Sequence, residues 1–377
     1  MTRKLASIQV VHSIEPIEGA DRIELAHVLG WQCVVNKGQF KPMDRGIYFE
    51  IDSFLPIRPE FEFMRATSYR RTDLMGEGFR IRTQKFRGQL SQGLLLPVSQ
   101  FPEIEAMLRN AKLRNAGNGI EGIDGAEDAE NAEESIIDIG TDVTEILGVR
   151  KWEMEEKATT NGTVIGNLPY DIPHTDETRI QAEPKLLQAF TGLEYYISTK
   201  MDGSSHSIGI DENGFHVTGH NYEYKDDGSS SFYNLVKERR YQEQLEEFVK
   251  TEGLRTLTIQ GELCAPGIQQ NRLKLRKAEW YVFNVRENGK RVSLNRLQEV
   301  CKALKLTTVP IEEVDIDLPS KYPTIEALLE RADGNYPNGG KKEGIVIRPT
   351  EPVYCEVIDA PLSMKVVSNK YLLKNEG

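Results

Sequence analysis

The residues best suited to covalent chemistry stand at positions 200–203, Lys200-Met201-Asp202-Gly203. They directly follow a strand-like run, 195–199, so Lys200 is expected at the end of a strand, with Gly203 permitting a sharp turn after it. A lysine amine is a poor nucleophile while it is protonated, and its unperturbed pKa is about 10.4. Nearby cations, a bound metal and partial burial can free it. Alone, this tetrapeptide is equally typical of a plain surface turn.

Four further segments follow in order along the chain. They are residues 260–263 (QGEL), 280–285 (WYVFNV), 342–348 (KEGIVIR) and 363–367 (SMKVV). Together with residues 200–203, their order and spacing resemble the signature motifs of the covalent nucleotidyltransferases, which include polynucleotide ligases and mRNA capping enzymes. Such matches gain weight only from context, because each segment taken singly is as consistent with an ordinary core strand.

The resemblance implies a role for each of five side chains. Lys200 would attack the α-phosphorus of ATP, release pyrophosphate and become covalently bound to AMP, while Lys365 would place positive charge at the α-phosphate. Asp202, Glu262 and Glu343 are the candidates for holding Mg²⁺ or Mn²⁺, directly or through waters. The three carboxylates and Lys365 are also expected to line the nucleotide site.

The resemblance also indicates how the nucleotide is held. Because side chains alternate along a strand, Tyr281 and Phe283 are expected on one face, and the motif match assigns adenine stacking to Phe283. Gly203, Glu262 and Asn221 are further candidates for nucleotide contacts, with Glu262 placed at the ribose.

Two positions depart from the patterns of related ligases. Where Ser-Arg-Asn is usual, this chain has Gly219-His220-Asn221, so either His220 or a nearby arginine must replace the arginine's ribose or phosphate contacts. Where Lys-x-Lys is frequent, the first position is Ser363, so Lys365 is expected to act either with Lys370 or alone.

The order of domains favours one branch of the superfamily. DNA ligases and capping enzymes place an OB domain after the last motif, but only twelve residues follow Lys365 here. Five other segments resemble the fifth RNA ligase family, in which the OB module comes first: residues 16–24, 30–35, 140–145, 175–181 and 368–373. This resemblance implies an ATP-dependent RNA ligase that joins a 3′-OH strand to a 5′-phosphate at nicks in duplex RNA or RNA/DNA.

The predicted fold class is α+β. Residues 1–150 are expected to form an OB-like β-barrel module, because short strand-like runs bounded by Gly, Pro and Asp recur along it: 5–12, 25–29, 32–35, 46–51, 79–82 and 93–97. A helix is predicted at 101–114, an acidic solvated insertion at about 115–135, and a helical turn capped by Thr141 or Asp142 within 140–153.

After a linker at 151–166, residues 167–377 are expected to form a mixed α/β nucleotidyltransferase domain of the ATP-grasp-like ligase type. Its predicted strands are 195–199, 205–210, 215–219, 256–264, 280–286 and 344–348. Its predicted helices are 232–251, 295–303 and 324–332.

Charge is distributed unevenly. The net charge of −11 arises largely from ten acids and no Lys or Arg between Gly117 and Gly148. Cations are concentrated between Arg65 and Arg87, with Tyr69, Phe79 and Phe86 interleaved, a pattern suited to nucleic acid but also to ordinary surface pairs. The predicted nucleic-acid contacts are Arg65, Arg70, Arg71, Arg82 and Arg87.

Other features exclude several classes of protein. No run approaches the about 18 apolar residues of a membrane span, and no P-loop motif is present. The four cysteines form no CxxC pair and the six histidines no HExxH motif, so neither a disulfide framework nor a zinc site is expected. A monomer in the reducing cytoplasm fits best.

Two alternatives to the ligase stay open. A capping-type guanylyltransferase would share the lysine but require GTP, and the domain order disfavours it. An OB-containing nucleic-acid-binding protein without activity would retain the fold after losing the chemistry.

Overall fold

The computed structural model describes residues 3–117, 139–153 and 162–375. The chain divides into two compact units, one before residue 156 and one after it. Most of the predicted acidic insertion lies outside the described residues, and so does the middle of the predicted linker. Within the described residues, no helix combines the length and the apolar composition needed to cross a membrane.

The N-terminal unit consists mainly of short antiparallel strands: β1 (Ala6–Val10), β2 (Ser13–Pro16), β3 (Ile23–Val28), β4 (Trp31–Asn36), β5 (Arg45–Phe49), β6 (Ser53–Leu55), β7 (Tyr69–Thr72), β8 (Gly76–Arg80), β9 (Gln84–Phe86), β10 (Gln89–Ser91), β11 (Leu94–Pro97) and β12 (Arg150–Lys151). Between them lie α1 (Arg65–Ser68), α2 (Pro102–Gly117) and two 3₁₀ helices (Pro59–Met64 and Val98–Gln100). The sheets have the strand orders β1-β5-β11, β2-β3-β4, β12-β6-β8-β7 and β9-β10.

An aromatic cluster forms the core of this unit. The rings of Phe49, Phe61 and Phe101 lie 5.4 to 6.0 Å apart, and all three are fully buried. Each of the six predicted runs overlaps a strand; β1, β5 and β11 are shorter than predicted, and β3, β4 and β8 are longer. The predicted helical turn is a single turn in which Asp142, rather than Thr141, accepts a hydrogen bond from the amide of Thr144 (2.9 Å).

The C-terminal unit contains fourteen described strands: β13 (Val164–Asn167), β14 (Glu194–Lys200), β15 (Ser204–Asp211), β16 (Gly214–Thr218), β17 (Tyr222–Tyr224), β18 (Leu257–Cys264), β19 (Glu279–Glu287), β20 (Lys290–Arg291), β21 (Thr307–Thr308), β22 (Ile311–Ile316), β23 (Gly344–Pro349), β24 (Tyr354–Cys355), β25 (Ala360–Pro361) and β26 (Met364–Val367). Its helices are α3 (Ser231–Arg239), α4 (Tyr241–Glu252), α5 (Leu294–Ala303), α6 (Leu318–Lys321), α7 (Ile325–Ala332), α8 (Asn369–Asn375) and a 3₁₀ helix, Pro184–Phe190.

Two sheets organise this unit. The larger has the order β13-β17-β16-β15-β18-β19-β20, with β21 parallel to β19, and the smaller has the order β22-β14-β23-β26. Helices α3, α4 and α5 pack on the larger sheet through one apolar core. The structure divides the predicted helix 232–251 in two, because Arg240 adopts a left-handed conformation (φ +55°) that ends α3.

The smaller sheet has one apolar and one polar face. In β14, β23 and β26, the alternate residues Ile197, Ile345 and Val366 are fully buried in a hydrophobic core. The intervening residues point the other way. The register pairs Ser198 with Val346 and Val346 with Lys365. Lys200, two residues beyond Ser198, therefore lies on the same face as Lys365.

Candidate active site

Lys200 lies at the end of β14, as the sequence predicts, and its amine forms an ion pair with Glu343 (Nζ–Oε1 2.8 Å). Strand pairing brings the two together, because Lys200 is opposite Gly344 in the register of β14 and β23. Gly344 permits the close approach of β26, since a Cβ there would lie 2.1 Å from the carbonyl oxygen of Val366. The Lys200 side chain is 23% exposed, so ligand can reach it.

Three carboxylates determine the charge state of this amine. Burial lowers the pKa of Lys200, but Glu343, Glu262 and Asp202 more than offset this effect, so the pKa is raised above its ordinary value. In the protein alone the amine is therefore a protonated ammonium. The nucleophile that the sequence predicts requires additional positive charge among these carboxylates.

The pKa of Glu262 shows that the three carboxylates Asp202, Glu262 and Glu343 together carry excess negative charge. Burial raises the pKa of Glu262 to about 8; Lys200 opposes this shift, while Glu343 and Asp202 add to it. Carboxylates that resist ionisation together are suited to a divalent cation, which favours their charged forms. The residues present therefore fit the Mg²⁺ or Mn²⁺ that the sequence implies.

Asp202 is the most buried of the three carboxylates, only 5% exposed. Tyr371 of α8 donates a hydrogen bond to its Oδ1 (2.8 Å), and Nε of Arg272 lies 2.9 Å from its Oδ2. The guanidinium of Arg272 also lies 5.0 Å from the ring centroid of Tyr371. The two partners therefore fix the orientation of Asp202 from both sides.

Gly203 is needed for a different reason from the one predicted. Its φ angle is not in the left-handed region, so the turn itself does not require glycine. Instead, a Cβ at this position would lie 2.4 Å from the carbonyl oxygen of Leu263 and 2.9 Å from Cγ of Glu262. Glycine allows the residues after Lys200 to pack directly against the strand that carries Glu262.

Tyr336 and Glu312 hold the strand ends in place. The Tyr336 hydroxyl donates to the carbonyl of Lys200 (2.7 Å) and accepts from the amide of Glu343 (3.2 Å). On the apolar side, Glu312 accepts hydrogen bonds from Thr199 (2.7 Å) and Lys342 (2.8 Å). These two donors immediately precede Lys200 and Glu343 in the sequence.

Phe283 lies at a β-bulge in β19. The register pairs Gly261 with Val282 and Gln260 with Asn284, so Phe283 has no partner on β18. Tyr281 and Phe283 pack against one hydrophobic cluster, as alternation predicts, and the cluster includes Met201 beside Lys200.

Arg348 fixes the backbone at the bulge. It lies on the polar face of the smaller sheet, donates to the carbonyl of Phe283 (2.5 Å) and to Oγ of Ser363 (3.1 Å), and is ion-paired with Glu177. Its guanidinium lies 5.6 Å from the centroid of the Phe283 ring.

The remaining predicted nucleotide contacts lie in β26 and in the turn between β16 and β17. Backbone bonds from Lys365 to Thr178 (2.8 Å) and from Ile180 to Lys365 (3.1 Å) fix the position of Lys365. Lys370 is bonded to Asp333, which favours the alternative that Lys365 acts without it. Asn221 and His220 lie in the turn, closed by a bond from the Gly219 amide to the Tyr222 carbonyl (2.9 Å).

The predicted nucleic-acid contacts lie on the N-terminal unit and differ in exposure. Arg65 is ion-paired with Glu62 (2.6 Å) and packs over Tyr69, while Arg70 donates to the Tyr69 carbonyl (2.7 Å). Arg82 is partly buried, whereas Arg71 and Arg87 are exposed.

The interleaved aromatic residues do not form one continuous surface. Phe79 is fully buried and cannot stack on a base, whereas Phe86 is 40% exposed. Only part of the aromatic pattern is therefore available to a ligand.

Sequence reasoning missed four residues that shape the site: Arg272, Tyr336, Glu312 and Tyr371. Tyr371 lies in the segment 368–373 that resembles the fifth RNA ligase family, so a signal existed for it. The other three lie outside the motifs and reach the site through contacts between distant parts of the chain.

Comparison with known proteins places this geometry in a family. An OB-fold domain model matches residues 5–98, and an RNA ligase model matches residues 193–367. No curated protein matches the chain.

Solved structures of an RNA ligase from Naegleria gruberi match the whole chain. One with pyrophosphate is 31% identical, with a TM-score of 0.81, over 100% of this chain and 99% of that one. A mutant with ATP and Mn matches with 31% identity and a TM-score of 0.81 over 100% of both chains. A mutant with AMP and Mn matches with 31% identity and a TM-score of 0.81 over 99% of both chains. The predicted OB-fold and nucleotidyltransferase architecture is thereby confirmed, and the chain belongs to the RNA ligase family of ATP-dependent nucleotidyltransferase-type ligases.

Proposed function

We propose that Lys200 is the nucleophile that takes AMP from ATP in this ligase. The observation that carries the assignment is the position of its amine, 2.8 Å from Glu343 and within the field of Glu262 and Asp202. A solvated surface lysine would not be expected at the meeting point of three carboxylates, two of which have raised pKa values. Perturbed groups of this kind cluster at functional sites.

The reaction would proceed in three steps. The amine of Lys200, having released one proton to solvent, attacks the α-phosphorus; an N–P bond forms, the bond to the leaving pyrophosphate breaks, and the nitrogen loses a second proton. An oxygen of the RNA 5′-phosphate then attacks the same phosphorus, the N–P bond breaks, and the departing lysine nitrogen regains both protons. Finally the 3′-OH loses its proton, attacks the capped 5′-phosphate and displaces AMP.

We assign the divalent cation to Asp202, Glu262 and Glu343. The Naegleria gruberi relatives were solved with Mn, and oxygen ligands such as these carboxylates suit Mg²⁺ or Mn²⁺. When bound, the ion supplies positive charge that favours the neutral form of Lys200 and stabilises the phosphate oxygens. Arg272 and Tyr371 orient Asp202, while Tyr336 fixes the spacing between Lys200 and Glu343.

The nucleotide would lie along the polar face of the smaller sheet. Phe283 would stack on adenine; in support of this role, it packs in the same hydrophobic cluster as Met201, the residue next to Lys200. Lys365 shares the face with Lys200 and would neutralise charge at the α-phosphate. Glu262 would contact the ribose, and Gly203 and Asn221 would border the nucleotide.

We assign nucleic-acid contacts to the N-terminal unit. In the proposed division this unit comprises residues 1–150, the linker residues 151–166 and the catalytic domain residues 167–377. Arg71 and Arg87 are its best candidates because both are exposed, and Arg65, Arg70 and Arg82 would add positive charge. The substrate would be nicked duplex RNA or RNA/DNA, sealed by a monomer. The four cysteines are free and buried, which suits the reducing cytoplasm.

A nick-sealing assay tests this function. Duplexes with one nick would carry either ribose or deoxyribose at the 3′-OH end, and ATP or GTP would be supplied with Mg²⁺ or Mn²⁺. We expect joining with ATP and faster joining at the ribose end. Labelling with GTP and no joining with ATP would indicate a guanylyltransferase, and no reaction with either nucleotide would indicate a binding protein.

A further inference from the structure

The segment from Pro173 to Glu177 has two chemically different sides. Its odd-numbered residues are bonded to the protein: the Pro173 carbonyl accepts from Gln260 (2.8 Å), and the Thr175 and Ser205 hydroxyls lie 2.9 Å apart. Glu177 is ion-paired with Arg348. The even-numbered residues, His174 and Asp176, are exposed. The inner contacts therefore fix the backbone that presents these two potential metal ligands to solvent.

A third ligand reaches the same place from the turn between β16 and β17. Nε2 of His220 lies 3.3 Å from Oδ2 of Asp176, and the rings of His174 and His220 lie 5.7 Å apart. One ligand atom from each of the three residues lies within 4.8 Å of the other two. Forty-six residues separate the two histidines, so the pattern cannot be read from the spacing of neighbouring residues.

A hydrogen bond also orients one imidazole for coordination. Nδ1 of His174 lies 3.1 Å from the backbone carbonyl of His220. A carbonyl only accepts, so Nδ1 carries the proton of this bond, and the tautomer of the neutral ring that fits it has its lone pair on Nε2. Histidines that bind metals usually donate their other ring N–H to a carbonyl or carboxylate in this way.

The three ligand atoms select a particular class of ion. Two imidazole nitrogens and one carboxylate oxygen suit Zn²⁺ and neighbouring transition metals, whereas Mg²⁺ and Ca²⁺ prefer oxygen ligands alone. A bound ion would lie about 2.0–2.2 Å from each ligand atom. The three ligand atoms must therefore approach one another by about 1 Å. Rotation of these accessible side chains permits this movement. Three protein ligands leave a fourth position for water or a phosphate oxygen.

We propose that His174, Asp176 and His220 bind one transition-metal dication of the Zn²⁺ class. The site shares no ligand with the cluster formed by Asp202, Glu262 and Glu343. It does not rest on the assignment of Lys200, which is not among its ligands, although His220 stands where related ligases carry the arginine that contacts the ribose or phosphate.

Co²⁺ titration of the full-length protein, freed of metal with a chelator, tests the site. Visible absorption would report nitrogen-ligated Co²⁺, a large excess of Mg²⁺ would occupy the oxygen-only cluster, and Zn²⁺ would be added last. We expect one equivalent of Co²⁺ to bind, to resist Mg²⁺ and to be displaced by Zn²⁺. His174→Gln, His220→Gln and Asp176→Asn should each weaken binding by at least about tenfold.

Two control variants test whether Co²⁺ binding depends specifically on the three proposed ligands. His12→Gln removes an exposed histidine of the other unit and should leave the titration unchanged, as should Glu343→Gln. Circular dichroism would verify folding of every variant. Absence of the Co²⁺ band in the wild-type protein, or its persistence in all three ligand variants, would overturn the proposal. Loss of ATP-dependent labelling with the band intact would count against the ligase function alone.

Discussion

At position 200 the protein keeps an amine among carboxylates that favour its protonated form. Glu343, the nearest at 2.8 Å, contributes most among the charges that raise the pKa of Lys200. The same carboxylate is our main candidate for holding the cation that makes the amine reactive. Glu343 therefore has opposite effects on Lys200 in the presence and absence of metal.

Replacing Glu343 tests which effect governs the reaction. We expect Glu343→Ala to slow AMP transfer to the protein by about 10²-fold or more, because the loss of charge stabilisation outweighs the easier deprotonation. Initial rates with labelled ATP would measure it, with Glu351→Ala, an exposed glutamate shortly after it, as the matched control. A rate equal to that of the control would remove Glu343 from the site.

Glu262 makes stability depend on pH in the metal-free protein. Its pKa is about 8 in the folded chain, against an ordinary value of 4.5. The folded state thus holds the proton more tightly than the unfolded state does. The resulting stabilisation is complete below the unfolded pKa and is lost as the pH rises through about 8.

We therefore expect the Tm, measured with chelator present, to fall between about pH 6 and about pH 9, and to fall less in Glu262→Gln. Added Mn²⁺ should reduce the loss in the wild-type protein by favouring the carboxylate. An identical pH dependence in the wild-type protein and the variant would show that Glu262 ionises normally.

At this scale the sequence identifies the residues of the motifs but not those that support them. Lys200, Asp202, Glu262 and Glu343 were found by their order along the chain, and the structure brings them together. Arg272 and Tyr336 could not be found in this way, because each acts through a contact across at least 70 residues. Nothing in their local sequence distinguishes them from other arginines and tyrosines.

At the scale of elements, the two faces of the smaller sheet have different roles: one carries the proposed reactive side chains and the other carries residues that hold the strands in place. Its polar face carries Lys200 and Lys365, and on the other side Glu312 ties down the residues that precede Lys200 and Glu343. Lys342 is nearly inaccessible, with 7% of its side chain exposed, and Glu312 retains 18%. Removing Glu312 would leave a buried ammonium without this partner.

We predict that Glu312→Ala lowers the free energy of unfolding by about 3 kcal/mol, because breaking a buried ion pair leaves one charge uncompensated. The double variant Glu312→Met, Lys342→Met should recover most of this loss, since the buried Lys342 charge is removed as well and Arg331, the other cation bonded to Glu312 (2.6 Å), retains Glu313 at 3.6 Å. Urea denaturation would measure both. If the single and double variants were equally destabilised, the buried Lys342 charge would not be the cause.

The strands that sequence patterns predicted best are either short apolar runs buried almost throughout, such as β14, β18 and β23, or alternate between buried and half-buried residues, as in β19. Strands β14, β18, β19 and β23 match their predicted ranges closely. The pattern missed β22, whose residues alternate poorly between buried and exposed, and the division of helix 232–251, which depends on one left-handed residue, Arg240. The bulge at Phe283 likewise has no local signal, because pairing with β18 creates it.

At the scale of the whole molecule, the N-terminal unit and the catalytic unit are assigned separate tasks. The acidic net charge of −11 makes local positive charge necessary for binding a polyanion. Arg71 and Arg87 supply such charge on the exposed surface of the N-terminal unit. Replacing them should therefore affect RNA binding and leave the nucleotide chemistry intact.

We predict that Arg71→Glu, Arg87→Glu raises the KM for nicked RNA and leaves AMP labelling unchanged. The slope of log affinity against log salt should decrease by about 0.9 for each phosphate that no longer binds an arginine. The double variant Arg22→Glu, Lys37→Glu is the control. It makes the same charge change at exposed positions of that unit outside the segment from Arg65 to Arg87. Equal effects in the two variants would reflect net charge and not a binding surface.

The most direct test of the central claim is the mass of the protein after incubation with ATP and Mn²⁺. We predict that the wild-type chain and Lys185→Ala, which removes an exposed lysine of the same unit, each gain one AMP, located by peptide mapping on Lys200. Lys200→Ala should gain none while remaining folded. An AMP adduct in Lys200→Ala, or one mapped to another residue of the wild-type chain, would contradict the assignment of Lys200 as the nucleophile.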